Sequence, residues 1–196
     1  MARNVEIKAR IGDLEALRCR LATLPIRGEE HLDQIDTFFR VAHGRLKLRE
    51  FADGSAELIY YERPDNGGAR LSYYERLPLP QPTALKRVLT TALGVRGTVR
   101  KHRDVYLVGQ TRIHIDTVDQ LGTFLELEVV LGESDSPEFG EAIATDMLRA
   151  LQLPHQSLLR GAYIDMLESV PDADAVQEPG VTTIPESLDF RPDEHG

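Results

Sequence analysis

Five short stretches of the chain carry polar or charged side chains at every second position. Asn4, Glu6, Lys8 and Arg10 alternate in NVEIKARI, and Arg45, Lys47 and Arg49 in RLKLRE. Lys101 and Arg103 alternate in RKHRD, Arg112, His114 and Asp116 in RIHID, and Glu126 and Glu128 in FLELEVV. Residues two apart in a strand share a face and stand about 7 Å from each other. A solvated sheet face explains any one of these strands, but not the set. Like signs cluster within strands, whereas a merely soluble surface intersperses them. Two unit charges 4 Å apart interact by about 4 kcal/mol at an effective dielectric near 20. Bases held together in an enclosed space call for an anion, and the acids beside them call for a cation. A nucleoside or inorganic triphosphate with Mg2+ or Mn2+ answers both needs, since oxygen ligands suit those hard ions.

The opposite faces of these stretches are apolar: Leu46 and Leu48, Leu58 and Tyr60, Ile113 and Ile115, Leu125, Leu127 and Val129. Period-two alternation predicts strands near 4–11, 33–40, 45–51, 56–63, 69–75, 98–108, 111–117 and 123–131. Short connectors such as His43-Gly44, Asp53-Gly54, Asp65 to Gly68 and Gly109-Gln110 favour antiparallel hairpins. Helical spacing predicts helices in 12–24, ended by Pro25, in 82–95, with Thr83 as cap and Gly94 as stop, and in 136–153, opened by Ser136 and Pro137. A short fourth helix is expected in AYIDMLESV. The consistent architecture is α+β: an antiparallel sheet curled into a barrel, helices packed outside and charges inside.

The 196 residues carry a net charge of −9. Residues 170–196 hold seven acids and one base, a charge of −6, so residues 1–169 carry only −3. The tail's acid, proline and low hydrophobicity predict disorder, and residues 1–169 form the expected domain. The mild acidity of that domain argues against a nucleic-acid partner. No apolar run is long enough to span a membrane, and MARNVEIKAR lacks a signal peptide's apolar segment. Cys19 is the single cysteine, so no internal disulfide is available and a reducing, cytoplasmic setting is expected.

The ordered motifs NVEIK (4–8), QIDTFF (34–39), RLKLRE (45–50), VRKHRDVY (99–106), RIHID (112–116), LGTFLELEVV (121–130) and AYIDML (162–167) resemble the CYTH superfamily, the triphosphate tunnel metalloenzymes. The resemblance spans about residues 3–168. It implies an eight-stranded antiparallel β-barrel forming a tunnel open at both ends. It further implies that Lys8, Lys47, Arg49, Lys101, Arg103 and Arg112, with Arg10 and Arg63, grip the triphosphate. Glu6, Glu126 and Glu128, assisted by Asp116, would hold Mg2+ or Mn2+. Glu6, Lys8, Glu126 and Glu128 are the catalytic expectations. Two positions depart from the pattern: Asn4 stands where the family has its first glutamate, and Tyr61 stands near a customary lysine. His114 is expected as a polar wall residue rather than a general base, with His43, His102 and His155 on the surface or in turns. The implied activity is that of a class IV adenylyl cyclase, ATP to cyclic AMP and pyrophosphate. The alternatives are a triphosphatase acting on inorganic triphosphate, thiamine triphosphate or a nucleotide, and a noncatalytic binder of polyphosphate or nucleotide. A homodimer is the oligomeric expectation.

Overall fold

A computed structural model describes residues 1–64, 69–154 and 157–169. The expected disordered tail (170–196), the turn at 65–68 and His155 lie outside the described residues. In chain order the elements are β1 (Ala2–Arg10), α1 (Leu14–Leu21), β2 (Gly28–Phe39), β3 (Arg45–Phe51), β4 (Ala56–Glu62) and β5 (Arg70–Leu79). They are followed by α2 (Thr83–Leu93), β6 (Val95–Val108), β7 (Thr111–Val118), β8 (Gly122–Leu131), α3 (Pro137–Ala150) and α4 (Tyr163–Glu168). All neighbouring strands pair antiparallel, and the sheet closes in the order β1-β5-β4-β3-β2-β6-β7-β8. Eight strands enclose an interior wide enough for side chains or one small ligand.

The alternation read from the sequence decides which face turns inward. Val5, Ile7, Ile113, Ile115, Leu125, Leu127 and Val129 lie outside the barrel, buried beneath α1 and α3. Phe39, Leu48 and Ala56 meet Leu89 and Leu93 of α2 in a separate cluster. The polar residues between them therefore point into the barrel. No helix among the described residues is long and apolar enough to cross a membrane.

Local chemistry sets the helix starts. Asp13 accepts a hydrogen bond from the Ala16 amide at 2.9 Å, and Ser136 accepts one from Phe139 at 3.3 Å with Pro137 at the first helical position. Thr83 does not cap α2 as expected. It is the first helical residue, Pro82 stands at the cap, and no side chain bonds the free amides there. Gly94, at φ 74°, stops α2 as predicted.

One helix departs from the expected outside position. Ala162, Tyr163 and Ile164 pack with Phe38, Val99, Val118 and Phe124 at one end of the barrel. The helix α4 thus covers that end, where a passage open at both ends was expected. Gly97 leaves room for Ile164, whose Cδ1 would stand 2.5 Å from a Cβ there and would have to shift.

The position of β1 depends on a second close approach. A Cβ on Gly140 would stand 2.7 Å from both Leu131 and Val5. Gly140→Leu should overpack this contact and cost about 1–3 kcal/mol, measured as a lower urea midpoint at unchanged slope.

Candidate active site

The barrel interior holds a cavity of about 440 Å3. Its order can be followed along each strand from the end covered by α4. Lys101, Arg103, Val105 and Leu107 succeed one another on β6; Asp36, Gln34, Leu32 and Glu30 on β2; and Lys47, Arg49 and Phe51 on β3. On β7 and β8 the order is Asp116, His114, Arg112 and Phe124, Glu126, Glu128. The closed end is buried: Tyr163, Lys101, Lys8 and Asp36 are all at most 6% exposed. The other end opens among Glu30, Leu107 and Arg76, which are exposed or nearly so.

At the deep end two buried aspartates hold the bases. Arg49 donates to both oxygens of Asp36, at 2.7 and 2.9 Å, and Lys47 donates to Oδ2 at 2.9 Å. Arg103 grips Asp116 through two bonds of 2.6 Å, and the Tyr163 hydroxyl donates to the same carboxylate at 2.8 Å. Lys101 lies between the pairs, 3.7 Å from Asp36 and 3.9 Å from Asp116. Burial works to raise the Asp36 pKa, but Arg49, Lys47 and Lys101 together hold it well below the usual range. Asp116 is likewise depressed against its burial, by Arg103 and Lys101.

The lysines respond in the opposite sense. Burial, then the neighbouring charge of Arg49, lowers Lys47 to about 8. Burial and Arg103 lower Lys101 to about 7. Lys8 lies 3.0 Å from Glu126 and 3.4 Å above the centre of the Tyr163 ring, a cation–π contact.

Further toward the mouth, His114, Glu126 and Glu128 offer ligand atoms that all lie within 4.8 Å of one another. His114 Nδ1 is buried, 3.8 Å from Glu126 and 3.9 Å from Glu128, with no hydrogen-bond partner among the described residues. A ring nitrogen facing two carboxylates beyond bonding distance fits a divalent cation between them, so this chain's residues suit a metal.

The expected residues thus separate into groups. Lys8, Lys47, Arg49, Lys101, Arg103, Arg112 and Arg63 all line the cavity, as do Glu6, Glu126 and Glu128. Arg10 does not. Its side chain donates to the Leu121 carbonyl at 3.0 Å and lies over the Phe124 ring, in a separate hollow beside α4. Of the four expected metal ligands, only Glu126 and Glu128 join the cluster with His114. Glu6 bonds Arg63 and lies 3.9 Å from Arg70, while Asp116 is fully occupied by Arg103 and Tyr163. Arg112 lies nearer the mouth, 3.5 Å from Glu128. His43 and His102 are exposed, as expected.

Asn4 lines the cavity with its amide oxygen buried and without a hydrogen-bond partner among the described residues. Tyr61 also faces inward, and burial raises its pKa, so the phenol is neutral. Three contributors were not assigned from sequence. Asp36 and Arg70 were visible on the correct strand faces, but alternation gives no role. Tyr163 was masked by its apolar helix, and only the fold brings it to Lys8.

The site is thus set in a closed β-barrel, with bases at its deep end and a metal-compatible acid cluster nearer its mouth. The CYTH domain profile matches residues 2–163, and the chain belongs to that family. A Methanocaldococcus jannaschii protein named "Putative adenylate cyclase" is 24% identical over 172 residues, covering 83% of this chain and 97% of its own. A Pyrococcus horikoshii structure superposes with a TM-score of 0.72 at 23% identity, covering 83% of this chain and 98% of that one. A Hippeastrum protein described as a "putative adenylyl cyclase" with a dominant triphosphatase activity gives a TM-score of 0.61 at 15% identity, covering 86% and 96%.

The depressed lysines have a measurable consequence. A polyanion favours the ammonium form and so raises the pKa of any lysine it touches. With Lys101 lowered to about 7 and Lys47 to about 8, both lysines are partly neutral above pH 8, so binding there should take up protons; at pH 6 the uptake should be smaller. Inorganic triphosphate, titrated without divalent metal in buffers of different ionisation enthalpy, should show this uptake near pH 8. Affinity should fall as pH rises from 6 to 9. The double variant Lys47→Arg/Lys101→Arg, whose guanidinium groups stay charged, should lose most of the uptake.

Proposed function

We propose that this protein is a metal-dependent enzyme that acts on ATP in the manner of a class IV adenylyl cyclase, releasing cyclic AMP and pyrophosphate. The observation that carries this is the axial order of the cavity. Deep bases, a metal-compatible cluster further outward, and a mouth where Leu32, Phe51 and Leu107 stand among Glu30, Arg76 and Arg112 succeed one another as do the terminal phosphates, α-phosphate and nucleoside of a nucleotide. Inorganic triphosphate has no use for the apolar side chains Leu32, Phe51 and Leu107 there.

On this reading Lys47, Arg49, Lys101 and Arg103 receive the β- and γ-phosphates. Arginine forks bind two oxygens at once, and Asp36 and Asp116 keep those forks aimed. Glu126 and Glu128 would hold Mg2+ or Mn2+ through their oxygens, with His114 beside them, and the ion would supply charge neutralisation and polarisation at the reacting phosphate. The ribose 3′-hydroxyl oxygen attacks the α-phosphorus as the bond to the bridging oxygen breaks, and the hydroxyl proton leaves to solvent. The electron pair goes to pyrophosphate, whose charge the deep bases already neutralise. Positioning and electrostatics do most of the work in such transfers.

A triphosphatase is the second reading, favoured by the activity ascribed to the Hippeastrum protein. There water replaces the ribose hydroxyl and attacks the terminal phosphorus. Product analysis with ATP and Mg2+ or Mn2+ separates the two: cyclic AMP with pyrophosphate supports the cyclase, and inorganic phosphate supports the hydrolase. Binding with neither product would sink both and leave a noncatalytic binder.

Glu126→Gln and Glu128→Gln should each lower turnover by more than about 100-fold while circular dichroism stays unchanged. Full activity in both would overturn their role. Asp36→Asn should chiefly raise KM, because it releases Arg49 and Lys47 without removing either.

A further inference from the structure

The outer wall of the barrel carries a second cluster of metal-ligating side chains. His31 of β2 and His102 of β6 flank Asp104, and their ligand atoms lie within 4.8 Å of one another. His31 Nδ1 is 2.7 Å and His102 Nε2 is 3.2 Å from the same oxygen, Asp104 Oδ1. The two imidazoles stack with centroids 6.4 Å apart and planes 11° from parallel. From this side of the sheet neither reaches the cavity.

Each histidine faces a further carboxylate with its other nitrogen. His102 Nδ1 is 2.9 Å from Asp33, and His31 Nε2 is 3.7 Å from Glu29. Arg18 of α1 holds the remaining oxygen of Asp104 at 3.2 Å. A neutral imidazole has one N–H and one lone pair, so it cannot donate to carboxylates on both sides. Protonation is one escape, and the Asp33 hydrogen bond does raise His102. A cation between the three inner atoms is the other. His102 then donates its N–H outward to Asp33, the His31 N–H faces Glu29, and each ring turns its lone pair inward. That outer carboxylate behind a ligating histidine is the usual support of a protein metal site.

We propose that His31, His102 and Asp104 form a zinc site on the outer surface. Two imidazoles and one carboxylate suit Zn2+ rather than Mg2+. Zn2+ bonds of about 2.0–2.1 Å in a tetrahedron put ligand atoms about 3.3 Å apart; the His102–Asp104 separation of 3.2 Å matches this, and His31, at 2.7 Å, would move outward by about half an ångström. Water completes the fourth position, since the His31 and His102 side chains are 62% and 47% exposed. Three carboxylates against one guanidinium leave the site net negative. The ion clasps β2 to β6, the strands that carry Asp36, Lys101 and Arg103 on their inner faces.

Co2+ as a visible probe, followed by Zn2+ displacement, tests the assignment in the full chain. The background is Glu126→Gln/Glu128→Gln, which removes the cavity ligands. One equivalent of Co2+ with tetrahedral d–d bands, displaced by Zn2+, is expected. His31→Ala and His102→Ala should abolish those bands while leaving the metal-free melting temperature close to that of the background. Asp33→Asn should weaken binding by about 10–100-fold. Absence of tetrahedral bands in the background protein, or their persistence in both histidine variants, would overturn the site.

Discussion

An ammonium or guanidinium brought into a barrel loses its hydration, and several brought together repel one another as well. Asp36 and Asp116 meet that constraint. Each is buried at 2% exposure or less, and each is bound through both oxygens by an arginine, so the pair fix Arg49 and Arg103 while Lys47 and Lys101 share their field. Buried ion pairs contribute little net stability, because desolvation consumes most of the attraction. Their return here is geometric: four bases are held in one place before any ligand arrives. Preorganised charge of this kind stabilises an incoming or developing anion without further reorganisation. Burial first, and the neighbouring arginine charge second, still hold Lys47 and Lys101 below the ordinary lysine range, so added negative charge is welcome.

The acids nearer the mouth obey the same rule with opposite signs, but they are compensated unevenly. Lys8 serves Glu126 and Arg63 serves Glu6, while the buried His114 Nδ1 has no bonded partner among the described residues. Asn4 removes one negative charge from this level relative to the family pattern.

Much of this was legible because a strand's period of two is unambiguous when one face is apolar. It placed Glu6, Lys8, Lys47, Arg49, Lys101, Arg103, Arg112, Glu126 and Glu128 on inward faces without any knowledge of the closure. Arg10 shows the limit. It shares the parity of Glu6 and Lys8, yet β1 runs past the cavity there, and the Leu121 carbonyl and Phe124 ring claim the side chain. Parity gives a face but not a depth. The start of β2 was also hidden, since Glu29, Glu30 and His31 break the apolar alternation that marks a strand. The roles of Tyr163 and of His31 with His102 depend on partners 155 and 71 positions away in sequence, which no local pattern discloses. Thr83 had a suitable side chain for a cap, but the preceding Pro82 already supplies the turn into α2.

The helix lying across one end of the barrel gives the cavity a direction of traffic. With α4 seated on Phe38, Val99 and Phe124, whatever enters must leave by the same doorway. Under a cyclase reading, pyrophosphate would sit innermost, behind the cyclic nucleotide, and would depart second. The innermost product would then regenerate the empty enzyme and compete directly with incoming ATP, so the local pyrophosphate level would act as a brake on the reaction.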